Sequence, residues 1–100
     1  MYRHGDVFVA KDTIPKSAKE LPHCILAEGA DTGHRHQIRE ANAAKLLASR
    51  GTLFLRVTAK KATLVHDQHK PISLPKGDYK VWFQREFEPK ALNYYRRVVD

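Results

Sequence analysis

Cysteine is almost missing from this chain. Cys24 stands alone, so no internal disulfide can form and no thiolate cage for a metal can be assembled within one copy. That usage fits a reducing, cytoplasmic setting. Long apolar runs are missing too: nothing approaches the roughly 20 consecutive apolar residues of a membrane helix, and Met1-Tyr2-Arg3-His4-Gly5-Asp6 carries no apolar signal segment. Membrane insertion and secretion are therefore not expected. Repeats, low-complexity tracts and linkers are also lacking. Acidic residues are in deficit, 11 against 18 Lys and Arg, for a formal charge of +7. The resulting field attracts polyanions, nucleic acid or nucleotides above all. No basic run exceeds two residues, so the plainer reading, lysines that keep the protein dispersed, stands beside it.

What is present fits one domain spanning residues 1–100, with 42% apolar residues to fill a single core. So small a unit has little room for a deep private pocket. A larger substrate is expected to lie between two copies, in a homodimer.

The segment Gly5 to Lys11 reads as a first strand from its alternating Val7 and Val9, and Pro15 stops any extension. Lys16 to Pro22 is a loop or one helical turn, His23 to Glu28 is a second strand, and Gly29 to Gly33 makes a turn. His34, His36 and Ile38 then alternate with Arg35, Gln37 and Arg39, which places both histidines on one strand face. Asn42 to Arg50 has helical composition, yet Arg50-Gly51 before Leu53-Phe54-Leu55-Arg56-Val57 favours a hairpin. Ala62 to His66 is another short strand. Pro71 to Asp78 reads as a stiff connector whose Gly77 takes a left-handed turn. Tyr79 to Phe87 is the clearest strand, and a short helix is expected from Pro89 through Val98. The expected fold is mainly β: a small antiparallel barrel or rolled sheet with a short C-terminal helix.

Four of the six histidines fall into two clusters, His34/His36 and His66/His69. Imidazole titrates near neutral pH, which suits general acid/base work or metal ligation. On a strand, His66 and His69 would point to opposite faces, whereas a turn between them lets both converge. His4 joins them only if the fold brings it there, and His23 is expected to be structural or solvent-facing. If the clusters meet, one chemistry is metal-independent, cofactor-free cleavage of RNA-like phosphodiesters, with His34, His36, His66 and His69 moving protons. His4, Arg35, Lys70, Gln84 and Arg85 are the candidate phosphate contacts, since a cation must balance the developing charge. Arg35 and Arg39 fall on the other strand face, where simple solvation competes with that role.

A second chemistry is metal binding. His34, His36 and Glu40 follow the H-x-H-x-x-x-E spacing of the first cupin motif, and such a set suits zinc, iron, manganese or nickel. The further cupin histidine after a Pro-x-Gly turn is absent, since Pro75-Lys76-Gly77 leads into Asp78-Tyr79-Lys80; His66 and His69 lie before that turn, so such a site would take a histidine from the second cluster in a different order. A third reading is a non-catalytic module that stacks and neutralises a nucleic-acid strand with Tyr79, Trp82, Phe83, Phe87, Tyr94, Tyr95 and the basic side chains.

The segments His4-Gly5-Asp6-Val7, Leu26-Ala27-Glu28-Gly29 with Thr32-Gly33-His34-Arg35-His36, and His66-Asp67-Gln68-His69-Lys70-Pro71-Ile72 with Leu74-Pro75-Lys76-Gly77 span nearly the whole chain. They resemble a small bacterial and phage family similar to the CRISPR-associated ring nucleases, metal-independent enzymes that open cyclic oligoadenylate. That resemblance implies a homodimer with a basic cleft for a cyclic oligonucleotide, lined by the motif histidines and Arg85.

Overall fold

The computed structural model describes residues 1–29 and 33–84, and among these every regular element is a β-strand. The strands are β1 (Tyr2–His4), β2 (Val7–Lys11), β3 (Lys19–Glu20), β4 (Ile25–Glu28), β5 (Arg35–Ile38), β6 (Ala44–Ser49), β7 (Thr52–His66) and β8 (His69–Phe83). The expectation of a mainly β, antiparallel fold holds. The expected terminal helix and the Arg85–Phe87 end of the last strand lie outside the described residues.

A long hairpin, β7 with β8, each strand 15 residues, is the spine. β8 carries β2 and then β1 on one side. β7 carries β6 along its first half and β5 near its end, and β4 lies beyond β5. The single sheet curls into a half-barrel, and its concave face buries Val7, Val9, Leu26, Leu46, Leu55, Leu64, Leu74, Tyr79 and Val81. Alternation explains the final strand: Tyr79, Val81 and Phe83 are buried, whereas Lys80 is exposed and Trp82 half-buried.

Three two-residue turns set the register. Gly5-Asp6 joins His4 to Val7, with Gly5 at φ 66°. Arg50-Gly51 joins Ser49 to Thr52 with φ of 50° and 78°, so the hairpin reading of Asn42 to Arg50 is correct. Asp67-Gln68 joins His66 to His69.

Two expectations need correction. Leu53 to Val57 and Ala62 to His66 are not separate strands but parts of β7. Pro71 to Asp78 is not a connector but the first half of β8. The reason lies in the ladder. Its register shifts between Val57↔Gly77 and Lys61↔Pro75, and again between Leu64↔Ile72 and His66↔His69. Pro75 pairs at one irregularity and Pro71 falls within the other, places where a residue without an N–H costs the ladder least. Gly77 does have a positive φ, 152°, but inside the strand. The strand expected from Gly5 is β2 and begins at Val7, because Gly5 and Asp6 form the turn that pairs it with β1, a strand that was not expected; Lys16 to Pro22 contains the short β3, paired to β6.

Candidate functional site

The open end of the half-barrel is lined by five of the six histidines. His4 ends β1, His34 precedes β5 and His36 lies within it, His66 ends β7 and His69 begins β8. In the sheet order, β1 and β5 are separated by β2, β8 and β7, with no ladder between them. Curling of the sheet nevertheless brings the Nδ1 atoms of His4 and His36 to 2.9 Å. An imidazole pair thus bridges an edge that backbone hydrogen bonds leave open.

The other rings gather around that pair. Ring centroids are 4.2 Å apart for His36 and His66, 4.7 Å for His66 and His69, 5.5 Å for His4 and His69, and 5.6 Å for His34 and His66. One ligand nitrogen each from His36, His66 and His69 falls within 4.8 Å of the others. The approach depends on Gly5: a Cβ there would stand 2.7 Å from His69 Nε2 and 3.2 Å from His36 Cε1.

Three of the histidines also have polar contacts outside the cluster's rings that orient them. The backbone carbonyl of Lys70 accepts a hydrogen bond of 2.9 Å from His4 Nε2. The backbone N–H of Gln68 donates to His66 Nδ1 at 3.0 Å. His34 Nε2 lies 3.5 Å from a carboxylate oxygen of Asp67.

Burial grades across the cluster. His4 and His36 are 2% and 6% exposed, His34 and His66 are half-buried, and His69 is exposed. Burial is the main force on the buried rings' proton affinity, because the imidazolium loses its hydration. It holds His36 down at about 3, helped by the neighbouring His66 and His4, while the Asp6 carboxylate acts in the opposite direction. His4 is lowered by burial and, to a lesser degree, by His69 and His66, against the bond to the Lys70 carbonyl. His66 is lowered by burial, His69 and His34, against Asp67 and Asp6. The interior of the cluster is therefore neutral near pH 7 rather than positively charged.

The residues expected to carry chemistry divide clearly. His34, His36, His66 and His69 do come together, and His4 lies at the heart of the group. Arg35 is on the outer face, 2.7 Å from Glu28. Lys70 contributes its carbonyl to the cluster, with its side chain exposed. Gln84 accepts from Arg3 Nη2 at 3.0 Å and donates its backbone N–H to Asp6 at 2.9 Å, beside the turn that supports the site. Arg85 lies outside the described residues. Glu40, the carboxylate of the cupin spacing, is occupied elsewhere: Thr63 donates to it from N at 2.8 Å and from Oγ1 at 2.6 Å. His23 is apart from the cluster and accepts the backbone N–H of Ile25.

Gly5, Asp6 and Asp67 were not expected in functional roles. The only pointer to them was adjacency, His4-Gly5-Asp6 and His66-Asp67, and adjacency does not say which way a turn folds.

Fold and site together define a small antiparallel half-barrel with a histidine-lined mouth. The chain belongs to a family described as a domain of unknown function (DUF8820), which matches residues 3–84 and so includes all five clustered histidines. No curated protein and no solved structure matches it.

Proposed function

We propose that the protein binds a divalent first-row transition metal ion through His36, His66 and His69. The carrying observation is that one ligand nitrogen from each lies within 4.8 Å of the other two. A metal with bonds of about 2.0–2.1 Å wants its imidazole nitrogens roughly 3–3.4 Å apart. The set thus closes on an ion with shifts of an ångström or so, and His69, on an exposed hairpin end, is free to make them. All-imidazole ligation suits zinc, copper, iron or nickel rather than magnesium or calcium. Three protein ligands leave a position for water or an anionic substrate, the arrangement of a catalytic rather than a purely structural ion. Depressed proton affinity supports the same reading, since a metal competes with protons for the lone pair.

The test is elemental analysis of chain expressed without a polyhistidine tag. One ion per chain is expected, and it should be lost in His36→Ala. A metal-free wild-type chain that takes up no Zn²⁺, Ni²⁺, Cu²⁺ or Fe²⁺ on titration removes the proposal.

One observation favours a second reading, metal-free cleavage of an RNA-like phosphodiester such as cyclic oligoadenylate. His34 pairs with Asp67 at 3.5 Å, one ring away from His66, and a carboxylate beside an imidazole is a common way to poise it for proton transfer. Cleavage of labelled oligonucleotide that survives excess EDTA supports this reading; cleavage abolished by EDTA and restored by metal supports the first.

A further inference from the structure

The hydrogen bonds around His4 form a chain with a fixed direction. A backbone carbonyl has no proton to give, so in the 2.9 Å contact between His4 Nε2 and the Lys70 oxygen the proton belongs to His4. Neutral imidazole carries one N–H, and its Nδ1 is then a bare acceptor. The partner of that Nδ1 is His36 Nδ1, also at 2.9 Å. Two nitrogens at that distance need one proton between them, and it must be carried by His36. His36 therefore holds its single proton on Nδ1, and Nε2 is its only nitrogen with a lone pair to offer.

We propose that His4 is a positioning residue that, with the Lys70 carbonyl behind it, locks His36 in the Nδ1–H tautomer and so presets Nε2 as the metal-binding atom. The proposal rests on the cluster being a metal site. Metal-binding histidines commonly donate their other N–H to an outer acceptor, which fixes the ring and raises its basicity. Here a second imidazole is that acceptor, and a backbone carbonyl sets it in turn.

The architecture makes the chain of bonds specific. Lys70 lies in the irregular stretch of ladder between the Leu64↔Ile72 and His66↔His69 pairs, beside Pro71, which has no amide hydrogen. His4 is 2% exposed, so water does not replace either of its partners. His66 is set the other way: the Gln68 N–H occupies its Nδ1 and leaves the proton on Nε2. Of these two adjacent imidazoles, His36 alone is preset to receive an ion at Nε2. His66 follows by giving up either that proton or its contact with the exposed Asp67-Gln68 turn. His36 is then the first ligand to engage.

The experiment uses the full chain, metal-free and uniformly ¹⁵N-labelled. Long-range ¹H–¹⁵N correlation spectra report which nitrogen of each histidine is protonated. The expected result for His36 is a protonated Nδ1 and a bare Nε2; the reverse overturns the proposal with no variant needed. His4→Phe keeps a ring of similar size but removes both nitrogens. It should release His36 to a mixture of tautomers and weaken Zn²⁺ binding by roughly 10–100-fold, with the backbone amide spectrum otherwise preserved. His4→Asn, whose amide oxygen can take the place of Nδ1, should recover part of that loss. Unchanged Zn²⁺ affinity in His4→Phe also overturns the proposal. If wild-type chain shows the expected tautomer and binds no metal, the relay stands and the metal reading fails.

Discussion

Gly5 faces His69 so closely that a single added methyl would come within 2.7 Å of the imidazole Nε2. Gly5 also sits at φ 66°, a conformation that costs other residues roughly 1–3 kcal/mol. Gly5→Ala thus imposes two penalties, backbone strain and displacement of a proposed ligand. The expected outcome is a lower melting temperature together with weakened metal binding. Gly51→Ala is the matched control: its φ is 78°, yet nothing lies within 4 Å of the new methyl. It should lose stability by about 1 kcal/mol while metal binding is untouched. Calorimetry and metal titration of the two variants measure strain and contact separately.

Stability of the metal-free protein should fall on mild acidification. In the unfolded chain His36 protonates near 6.5, whereas in the fold burial and its histidine neighbours hold it neutral down to about 3. Between those values the unfolded state binds a proton that the native state refuses. Each such imidazole then costs up to about 1.4 kcal/mol of stability per pH unit. His4 and His66, both lowered from the ordinary imidazole value by burial, act in the same direction below pH 6.5. Above pH 6.5 the contribution is flat. Urea unfolding from pH 8 to pH 4 is expected to show a plateau and then a decline, and His36→Leu should shallow that decline. A midpoint that does not move between pH 6.5 and pH 4.5 contradicts it.

These features were unequally legible in the sequence. Period-two alternation identified Val7–Lys11, Arg35–Ile38 and Tyr79–Phe83, because one face of each packs on a core and the other meets solvent. Arg50-Gly51 announced its hairpin through the need for positive φ. Alternation failed across Thr58 to Lys61, where the register shift gives β7 two more residues than β8, and at Pro71 and Pro75, which resemble strand breakers. A proline is tolerated where the ladder is already irregular, and only the pairing reveals that. The site followed the same rule. Spacing of two predicted that His34 and His36 share a face, and the turn at Asp67-Gln68 let His66 and His69 converge. The entry of His4 depends on how far the sheet curls, a property of the whole core that no local pattern encodes.

Glu40 separates the cupin-like spacing from the site that the fold builds. Its carboxylate receives two hydrogen bonds from Thr63, which lower its proton affinity and tie the chain after β5 to β7. Glu40→Ala should lower the melting temperature by loosening that tie, while metal stoichiometry stays at one per chain. Loss of the bound ion in a folded Glu40→Ala protein would instead make this residue a ligand. Elemental analysis and a thermal melt on the same sample decide between the two.

His34 and His69 divide the two functional readings most sharply. His69 is one of the three residues whose nitrogens converge, and His34 is not, although its ring lies 5.6 Å from that of His66. On the metal reading His69→Ala removes the ion, whereas His34→Ala leaves stoichiometry intact and affects only steps that use the His34–Asp67 pair. On the metal-free reading His34→Ala abolishes proton transfer, Asp67→Asn reduces it by disorienting the imidazole, and EDTA changes neither. The comparison is informative because both rings line one mouth of one half-barrel. Burial favours the metal outcome: neutral, dehydrated imidazoles are good ligands and poor acids, and His36 near 3 is far from the proton affinity a general acid requires at pH 7. Bound metal retained in His34→Ala and lost in His69→Ala is the expected pair of results, and the opposite pair would transfer the function to the His34–Asp67 dyad.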